Sequence, residues 1–311
     1  MNISLTQLEY IVAIDEYRNF AKAAESCFVT QPTLSMQLKK LEEDLAANIF
    51  DRSKQPIVPT ETGIKIIEQA RIVLREAKKL EGMALSVNRE FEGSLSIGII
   101  PTLAPYLMPY FIGPFLQHYP KVQLKIEELK TEDIISHLHK DKLDAGILAT
   151  PLHEAGLKED ILFYEEIFVY AQPQHPLLQK KQLDPKDLLR NDIWMLTKGN
   201  CFRNQIINIC SMEIAHKHLQ YESGSLETLK KMVETEGGFT LLPELAVLEL
   251  STRETNRIIG FKKPKPLREV GLVYTRSVLK RNLLEALKKE ILQNLPSELQ
   301  NRKRGNVVEW K

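Results

Sequence analysis

The chain has 311 residues, 43% of them hydrophobic and 27% charged, so it can bury sizeable cores and is long enough for two or three domains. A formal net charge of +1 names no polyanionic partner by itself, and three cysteines in a chain of this length exclude a disulfide scaffold. No run approaches the about 18 apolar residues of a membrane span. Met1-Asn2-Ile3-Ser4-Leu5 also lacks the basic flank and apolar core of a secretion signal, which together point to a cytoplasmic protein with no membrane partner.

Leu5, Leu8, Ile11, Val12 and Ile14 follow helical spacing over Leu5 to Tyr17. A second, alanine-rich helix covers Phe20 to Cys27. Thr30 is placed to cap a third helix from Gln31 to about Asp44, with Pro32 in its first turn and Leu34, Leu38, Leu41 and Leu45 turned inward. Two short helices joined by a few residues, the second with a polar outer face, predict a helix-turn-helix. Gln31, Pro32, Thr33, Ser35, Met36, Gln37, Lys39 and Lys40 would then meet base edges or phosphates of double-stranded DNA. Residues 1–65 hold seven basic and nine acidic side chains, a net of −2, so placement and not bulk charge carries this reading. Without a nucleic-acid partner the same helices would make a small interaction domain. Ile49 to Thr60 reads as a short hairpin, or wing, whose Arg52 and Lys54 suit phosphate. Thr60-Glu61-Thr62-Gly63 opens a long helix to about Asn88 with an apolar stripe of Ile64, Ile67, Ala70, Val73, Leu74, Ala77, Leu80, Ala84 and Val87. Such a stripe, with nothing in its own domain to cover, predicts packing against a second copy.

Beyond Gly93 the period changes. Strands are predicted at Leu95–Ile99, Val122–Glu128 and Leu143–Leu148, alternating with helices at about Tyr106–His118 and Ile134–Lys140. A second unit carries strands near Leu162–Ala171, Ile193–Leu196, Thr240–Leu242 and Val270–Tyr274, with helices near Cys201–Ala215 and Leu226–Glu236. This alternation predicts an α/β domain of two lobes on a mostly parallel sheet, with a ligand cleft between them.

Two of the three cysteines share one stretch, Gly199-Asn200-Cys201-Phe202-Arg203-Asn204-Gln205-Ile206-Ile207-Asn208-Ile209-Cys210. Cys201 falls at a helix start, where the unpaired N–H groups, the helix dipole and nearby Arg203 favour a thiolate, whereas Cys210 lies among isoleucines. Nine residues of helix separate them by about 13–14 Å, but disulfide Cα atoms must approach within about 7 Å, so a bond between them requires the helix to unwind. An oxidant converting Cys201 to a sulfenic acid would give Cys210 a group to condense with. Two alternatives stay open: both thiols as small core hydrophobes, or a zinc site drawing in His216 and His218.

Leu8-Glu9-Tyr10-Ile11-Val12, Phe20-Ala21-Lys22-Ala23-Ala24, Val29-Thr30-Gln31-Pro32-Thr33-Leu34-Ser35, Leu38-Lys39-Lys40-Leu41-Glu42, Phe50-Asp51-Arg52 and Thr60-Glu61-Thr62-Gly63, in that order, resemble the N-terminal domain of LysR-type transcriptional regulators. The resemblance implies a winged helix-turn-helix over 1–60, a linker and dimerisation helix over 61–90, a two-lobed regulatory domain over 91–300 similar to periplasmic binding proteins, and a polar tail over 301–311. It also implies a regulator and not an enzyme, with no cofactor, a homodimer or homotetramer on DNA, and RNA polymerase as a partner. Within that family, the stretch around Cys201, with Gly98-Ile99-Ile100-Pro101-Thr102, Ser225-Leu226-Glu227-Thr228-Leu229 and Gly271-Leu272-Val273-Tyr274, resembles the hydrogen-peroxide-sensing members, which activate oxidative-stress genes. That implies Cys201 as the peroxidatic and Cys210 as the resolving thiol, joined in a reversible disulfide. Thr102 and Thr131 would help to hold peroxide, with Asn200 and Arg203 beside the thiol. Asn200 and Asn204 depart from the His and Asp often found there. The rival reading is a metabolite-responsive member whose cleft, lined by Thr102, Thr131 and Ser225, binds a small molecule.

Overall fold

A computed structural model of the chain describes residues 3–85, 91–188, 192–210, 224–276, 278 and 280–309. It divides into two compact units, Met1–Arg89 and Glu90–Lys311.

In the first unit α1 (Leu5–Tyr17) starts from a capping box between Ser4 and Gln7, and α2 (Phe20–Ser26) from Asn19, whose side chain accepts from the Lys22 N–H. Phe28 takes a left-handed φ of 56° in the turn before α3 (Gln31–Leu45), which Thr30 caps. Ile11, Ile14, Ala23, Ala24, Leu34, Leu38 and Leu41 form the core, closed by a two-stranded wing of β1 (Phe50–Asp51) and β2 (Val58–Pro59). The following α4 (Glu61–Leu85) corrects one expectation. The first half of its apolar stripe does have a partner in its own domain: Ile67 and Ala70 are buried, Leu74 packs on the same core, and Arg71 reaches Asp15 on α1 at 2.9 Å. Ile64, Ile72, Val73 and Leu80 remain exposed. The last turn expected of this helix, residues 86–88, lies outside the described residues.

The second unit runs β3 (Gly93–Ile99), α5 (Ala104–His118), β4 (Val122–Glu128), α6 (Thr131–His139), β5 (Ala145–Thr150), β6 (Leu157–Ala171), α7 (Cys201–Cys210), α8 (Leu226–Glu236), β7 (Phe239–Pro243), α9 (Glu244–Leu248), α10 (Thr252–Thr255), β8 (Ile258–Ile259), β9 (Lys265–Thr275), α11 (Arg281–Asn294) and β10 (Gly305–Val307). The strand order is β4-β3-β5-β9-β6-β7, with β8 on β6 and β10 on β9. The sheet is mixed and not mostly parallel. β4, β3 and β5 are parallel, but β9 runs against both β5 and β6, and β7 against β6. The chain crosses from the first lobe to the second along β6 and returns along β9, and an outward and a returning strand side by side must be antiparallel. Both are consequently longer than their apolar runs suggest, 15 and 11 residues.

Three other elements differ from expectation. The strand expected from Leu143 begins at Ala145. The strand expected at Ile193–Leu196 is reduced to isolated bridges, that of Ile193 running to Phe239, while Trp194 gives its indole N–H to the Gly237 carbonyl and its own carbonyl accepts from the Thr240 hydroxyl. Helix α11, unread in the sequence, packs Leu283, Leu284, Leu287 and Ile291 into the core beside α5. The paired Gly98 of β3 and Gly146 of β5 let α6 lie directly on the sheet, since a Cβ on Gly146 would stand 2.4 Å from Ile134 Cγ2. That approach places Thr131, the first residue of α6, at the sheet's C-terminal edge.

Residues 301–309 do more than trail from the domain. β10 pairs in parallel with the first residues of β9, and the Val308 N–H donates to the Leu267 carbonyl at 2.9 Å. Arg304 Nη2 joins Glu166 at 2.8 Å and Glu244 at 2.6 Å. Beyond the strand, the Gln205 and Asn208 side-chain amides of α7 each donate to the backbone, at the Val308 and Glu309 carbonyls, at 2.8 Å. No described helix is long and apolar enough to cross a membrane. Arg304→Ala should cost the second unit about 1.5–3 kcal/mol in denaturant unfolding, the scale of hydrogen bonds to charged groups. A chain ending at Asn301 should in addition lose amide-exchange protection along α7, and unchanged protection there would show that the tail does not support the helix.

Candidate functional site

The surface expected to read DNA lies on α3 and the wing. Gln31, Pro32, Met36, Lys39 and Lys40 are exposed and Thr33, Ser35 and Gln37 half-buried, so the predicted face is the outward one. Two of its members are already committed. The Thr33 hydroxyl lies 2.8 Å from that of Thr30, and Gln37 Oε1 accepts from Gln7 at 3.2 Å, which turns the Gln37 amide and orients its N–H₂ end. Lys39 and Lys54 make only loose ion pairs, to Glu43 at 3.7 Å and Asp51 at 3.9 Å. Arg52 differs from the free phosphate-binding cation expected of it. Its guanidinium sits 2.7 Å from Glu42 and 5.8 Å over the Phe20 ring, and the same Glu42 carboxylate accepts from the Ile49 and Phe50 N–H groups. Glu42 therefore ties the wing to α3, and Arg52 completes the tie. Glu42→Ala should destabilise the first unit by about 1–3 kcal/mol, the cost of orphaning two backbone donors. Lys39→Ala should instead leave its melting unchanged and reduce the salt slope of DNA binding by about one. The opposite pattern in a melting and salt-titration series would reverse these roles.

The second site is built around the start of α7. Asn200 caps that helix, its Oδ1 accepting from the Phe202 N–H at 3.0 Å, which places Cys201 in the first turn. Cys201 is buried, and burial pushes its thiol up from the ordinary cysteine value. Arg268, the Thr131 hydroxyl and the Phe202 N–H oppose that shift, and Glu132 adds to it. The helix start and Arg203 were expected to keep Cys201 partly ionised. The Phe202 N–H of the helix start does favour the thiolate, but desolvation outweighs it, and the cation acting on sulfur is Arg268, while Arg203 Nη1 donates to the Leu196 carbonyl at 2.7 Å. Cys210, nine residues further along the helix, is buried, and among the described residues burial alone acts on its thiol, pushing it up to about 12. Both cysteines are free.

Arg268 went unread because it precedes the apolar run of β9. Its guanidinium is fully buried, 5.0 Å over the Phe202 ring, with Nε and Nη2 on Glu165 Oε1 at 2.7 and 2.6 Å and Nη1 on Thr102 Oγ1 at 2.9 Å. Having accepted from Arg268, the Thr102 hydroxyl keeps its own proton to donate. Thr131 is equally buried, and its hydroxyl favours the Cys201 thiolate without making a full hydrogen bond of its own. Thr102, Thr131, Arg268 and Cys201 thus form one buried polar group, in which the Thr131 hydroxyl makes no full hydrogen bond among the described residues. The signal for Arg268 was a charged pair, Arg268-Glu269, directly before five apolar or small residues. Glu269 is buried too, accepting from Thr150 at 2.8 Å. Ser225 is occupied as the cap of α8, accepting from the Thr228 N–H. His216 and His218 of the zinc alternative lie outside the described residues.

These two sites can be set beside known proteins. The model of the bacterial regulatory helix-turn-helix protein, lysR family, matches residues 5–64, and that of the LysR substrate binding domain matches residues 88–296. The hydrogen peroxide-inducible genes activator of Haemophilus influenzae is 35% identical over 297 residues, 96% of this chain and 99% of the relative. The DNA-binding transcriptional dual regulator OxyR of Escherichia coli is 36% identical over 289 residues, 93% of this chain and 95% of its own. Among solved structures, a full-length OxyR variant from Pseudomonas aeruginosa superposes with a TM-score of 0.77 at 33% identity, covering 94% of this chain and 99% of that one. With both domain models matched in order and relatives of this identity spanning nearly the whole length, the chain belongs to the LysR family of transcriptional regulators, and is a regulator and not an enzyme.

Proposed function

We propose that the protein is a peroxide-responsive regulator whose signal is oxidation of Cys201 and its reversible pairing with Cys210. One observation carries this reading over the metabolite-binding rival. The residue beside Thr131 and Arg268 is a cysteine sulfur, and the buried Thr131 hydroxyl that favours its thiolate makes no full hydrogen bond among the described residues. A peroxide oxygen suits that setting, able to accept from Thr102 and donate to or accept from Thr131. The relatives named as hydrogen peroxide-inducible activators support the same substrate.

The Cys201 thiolate attacks one peroxide oxygen, an S–O bond forms as the O–O bond breaks, and the leaving hydroxide takes up a proton as water. Sulfur is oxidised by two electrons and peroxide reduced by two. Arg268 lies where it favours both the thiolate and the negative charge moving onto the departing oxygen. Cys210 then attacks the sulfenic sulfur, forming S–S and expelling the oxygen, which leaves as water after protonation. With α7 intact, nine residues of helix separate Cys201 from Cys210, so this second step requires α7 to unwind.

Unwinding breaks the Gln205 and Asn208 bonds to the C-terminal segment and the burial of Phe202 and Ile206, which remodels the second lobe. We assign the exposed Val73 and Leu80, one heptad apart on α4, to contact with a second copy, so that the assembly presents more than one reading head to DNA. Lobe remodelling then alters how those heads are spaced. RNA polymerase is the partner a DNA-bound activator of this family would engage.

Oxidation of the reduced protein should speed up as pH rises, because a thiol pushed up by burial is mostly protonated at neutral pH and its thiolate fraction grows with pH. Cys210→Ser should stop at a trappable sulfenic acid on Cys201, and Cys201→Ser should not respond to peroxide. Mass spectrometry finding no Cys201–Cys210 disulfide after peroxide, with an unchanged DNA footprint, would sink the proposal in favour of the metabolite-binding rival. Val73→Asp with Leu80→Asp should lower the oligomer mass and weaken binding to a two-half-site operator. An unchanged mass on sedimentation removes α4 from the interface.

A further inference from the structure

Glu165 is not a ligand of sulfur, nor does any part of the reaction pass through it, yet it is the most enclosed acidic side chain near the site. It lies on β6 directly opposite Arg268 on β9, and the two are register partners. Its Oε1 receives Arg268 Nε and Nη2, at 2.7 and 2.6 Å, while its Oε2 accepts from the Leu245 N–H of α9 at 3.1 Å. One oxygen is therefore anchored to second-lobe backbone and the other grips the guanidinium, leaving Nη1 for Thr102. An arginine side chain without such a grip samples several rotamers, and a fork held on one edge presents the remaining edge in one direction.

We infer that Glu165 is a positioning residue of the peroxide reaction, holding the Arg268 guanidinium against Thr102 and Phe202 so that its charge falls on the Cys201 sulfur. The inference rests on the proposed reaction of Cys201. It makes a prediction opposite in sign to the through-space effect of a carboxylate. As a bare negative charge, Glu165 would disfavour the thiolate, and its removal would help Cys201 to ionise. As the anchor of Arg268 it favours the thiolate, and its removal must hinder ionisation. The other groups around this cluster stay in place in either case: Glu132 on α6, Glu244 on α9, and Tyr106 on α5 with its 2.6 Å bond to Glu227 of α8.

The test uses the reduced full-length protein as parent, Glu165→Gln and Glu165→Asp, with Arg268→Met and the double variant Glu165→Gln/Arg268→Met as the closing arms of a cycle. Two readouts are taken across the neutral and alkaline range: the ultraviolet absorbance of the thiolate, corrected by Cys201→Ser, and the rate of free-thiol loss with hydrogen peroxide. In Glu165→Gln the Cys201 titration should move to higher pH, and oxidation at neutral pH should slow by about tenfold for each unit of that movement. Glu165→Asp, which keeps the charge on a shorter arm, should fall between Gln and the parent. The double variant should be no slower than Arg268→Met alone, since a residue acting only through Arg268 has nothing left to act through. Folding of each variant is checked by its melting and by operator binding in the reduced state. If Glu165→Gln does not fold, Glu165→Asp carries the same sign test. A folded variant whose Cys201 titrates at unchanged or lower pH, or a double variant slower than Arg268→Met, overturns the inference. A parent whose Cys201 fails to react with peroxide removes the proposed function, while the thiolate titration still reads the positioning by itself.

Discussion

A guanidinium with no exposure to water sets the terms for the whole second unit. Stripping one member from a buried pair leaves an uncompensated charge at a cost of about 3–5 kcal/mol, so Arg268 and Glu165 must meet. They sit on the strands that carry the chain out of the first lobe and back into it. The ion pair thereby pins β6 to β9 at the passage between lobes. Its third contact, to Thr102 at the end of the β3 segment, ties in the first lobe, while the Leu245 N–H brings in the second. Hydrophobic burial supplies most of the stability of such a core but is not directional. The pair supplies direction, and the thiol is placed where its charge points.

Against that fixed point, α7 is the part made to give way. Most helical stability comes from packing a buried face, and the described turns of this helix bury Phe202, Ile206 and the two cysteines and start from an Asn200 cap. The C-terminal segment adds two side-chain bonds from Gln205 and Asn208, and Arg304 fastens that segment to Glu166 and Glu244. Glu166 adjoins Glu165, so the clamp on α7 and the anchor of Arg268 share one stretch of β6. A disulfide between the helix ends must overcome packing and two tail bonds, but it need not disturb the buried ion pair.

How much of this was readable in the chain follows from the range of the interactions. The helices of the first unit were legible because their caps and periodicity are local: Ser4 with Gln7, Thr30 with Pro32, and leucines at helical spacing. The start of α7 at Cys201, after Gly199 and Asn200, was legible for the same reason. What was missed depends on contacts between residues far apart in sequence. Arg268 meets Glu165 and Thr102 at separations of 103 and 166 residues, and no periodicity announces that. Arg203 looked like the activating cation because it is near in sequence, but a side chain two residues on in a helix does not face its neighbour, and it found the Leu196 carbonyl instead. The basic tip of the wing misled in a similar way, since the partner of Arg52 lies ten residues earlier on α3.

The pKa directions at the two cysteines connect the geometry to a graded response. Both thiols are raised by burial, but among the described residues only Cys201 has compensating groups, in Arg268, Thr131 and the Phe202 N–H, so the cysteines differ in described neighbours more than in solvent access. In the proposed switch the thiol without a compensating group among the described residues is the one that attacks second, and burial inside the helix favours its protonated form. It becomes a competent nucleophile only when α7 opens and water relieves the desolvation that pushes it up. Opening therefore does two things at once, bringing the sulfurs within reach and letting Cys210 ionise, and a closed helix withholds both. Under the proposed switch, order is imposed on the chemistry without a dedicated gate: Cys201 is oxidised inside the fold, and Cys210 responds only after the fold has yielded.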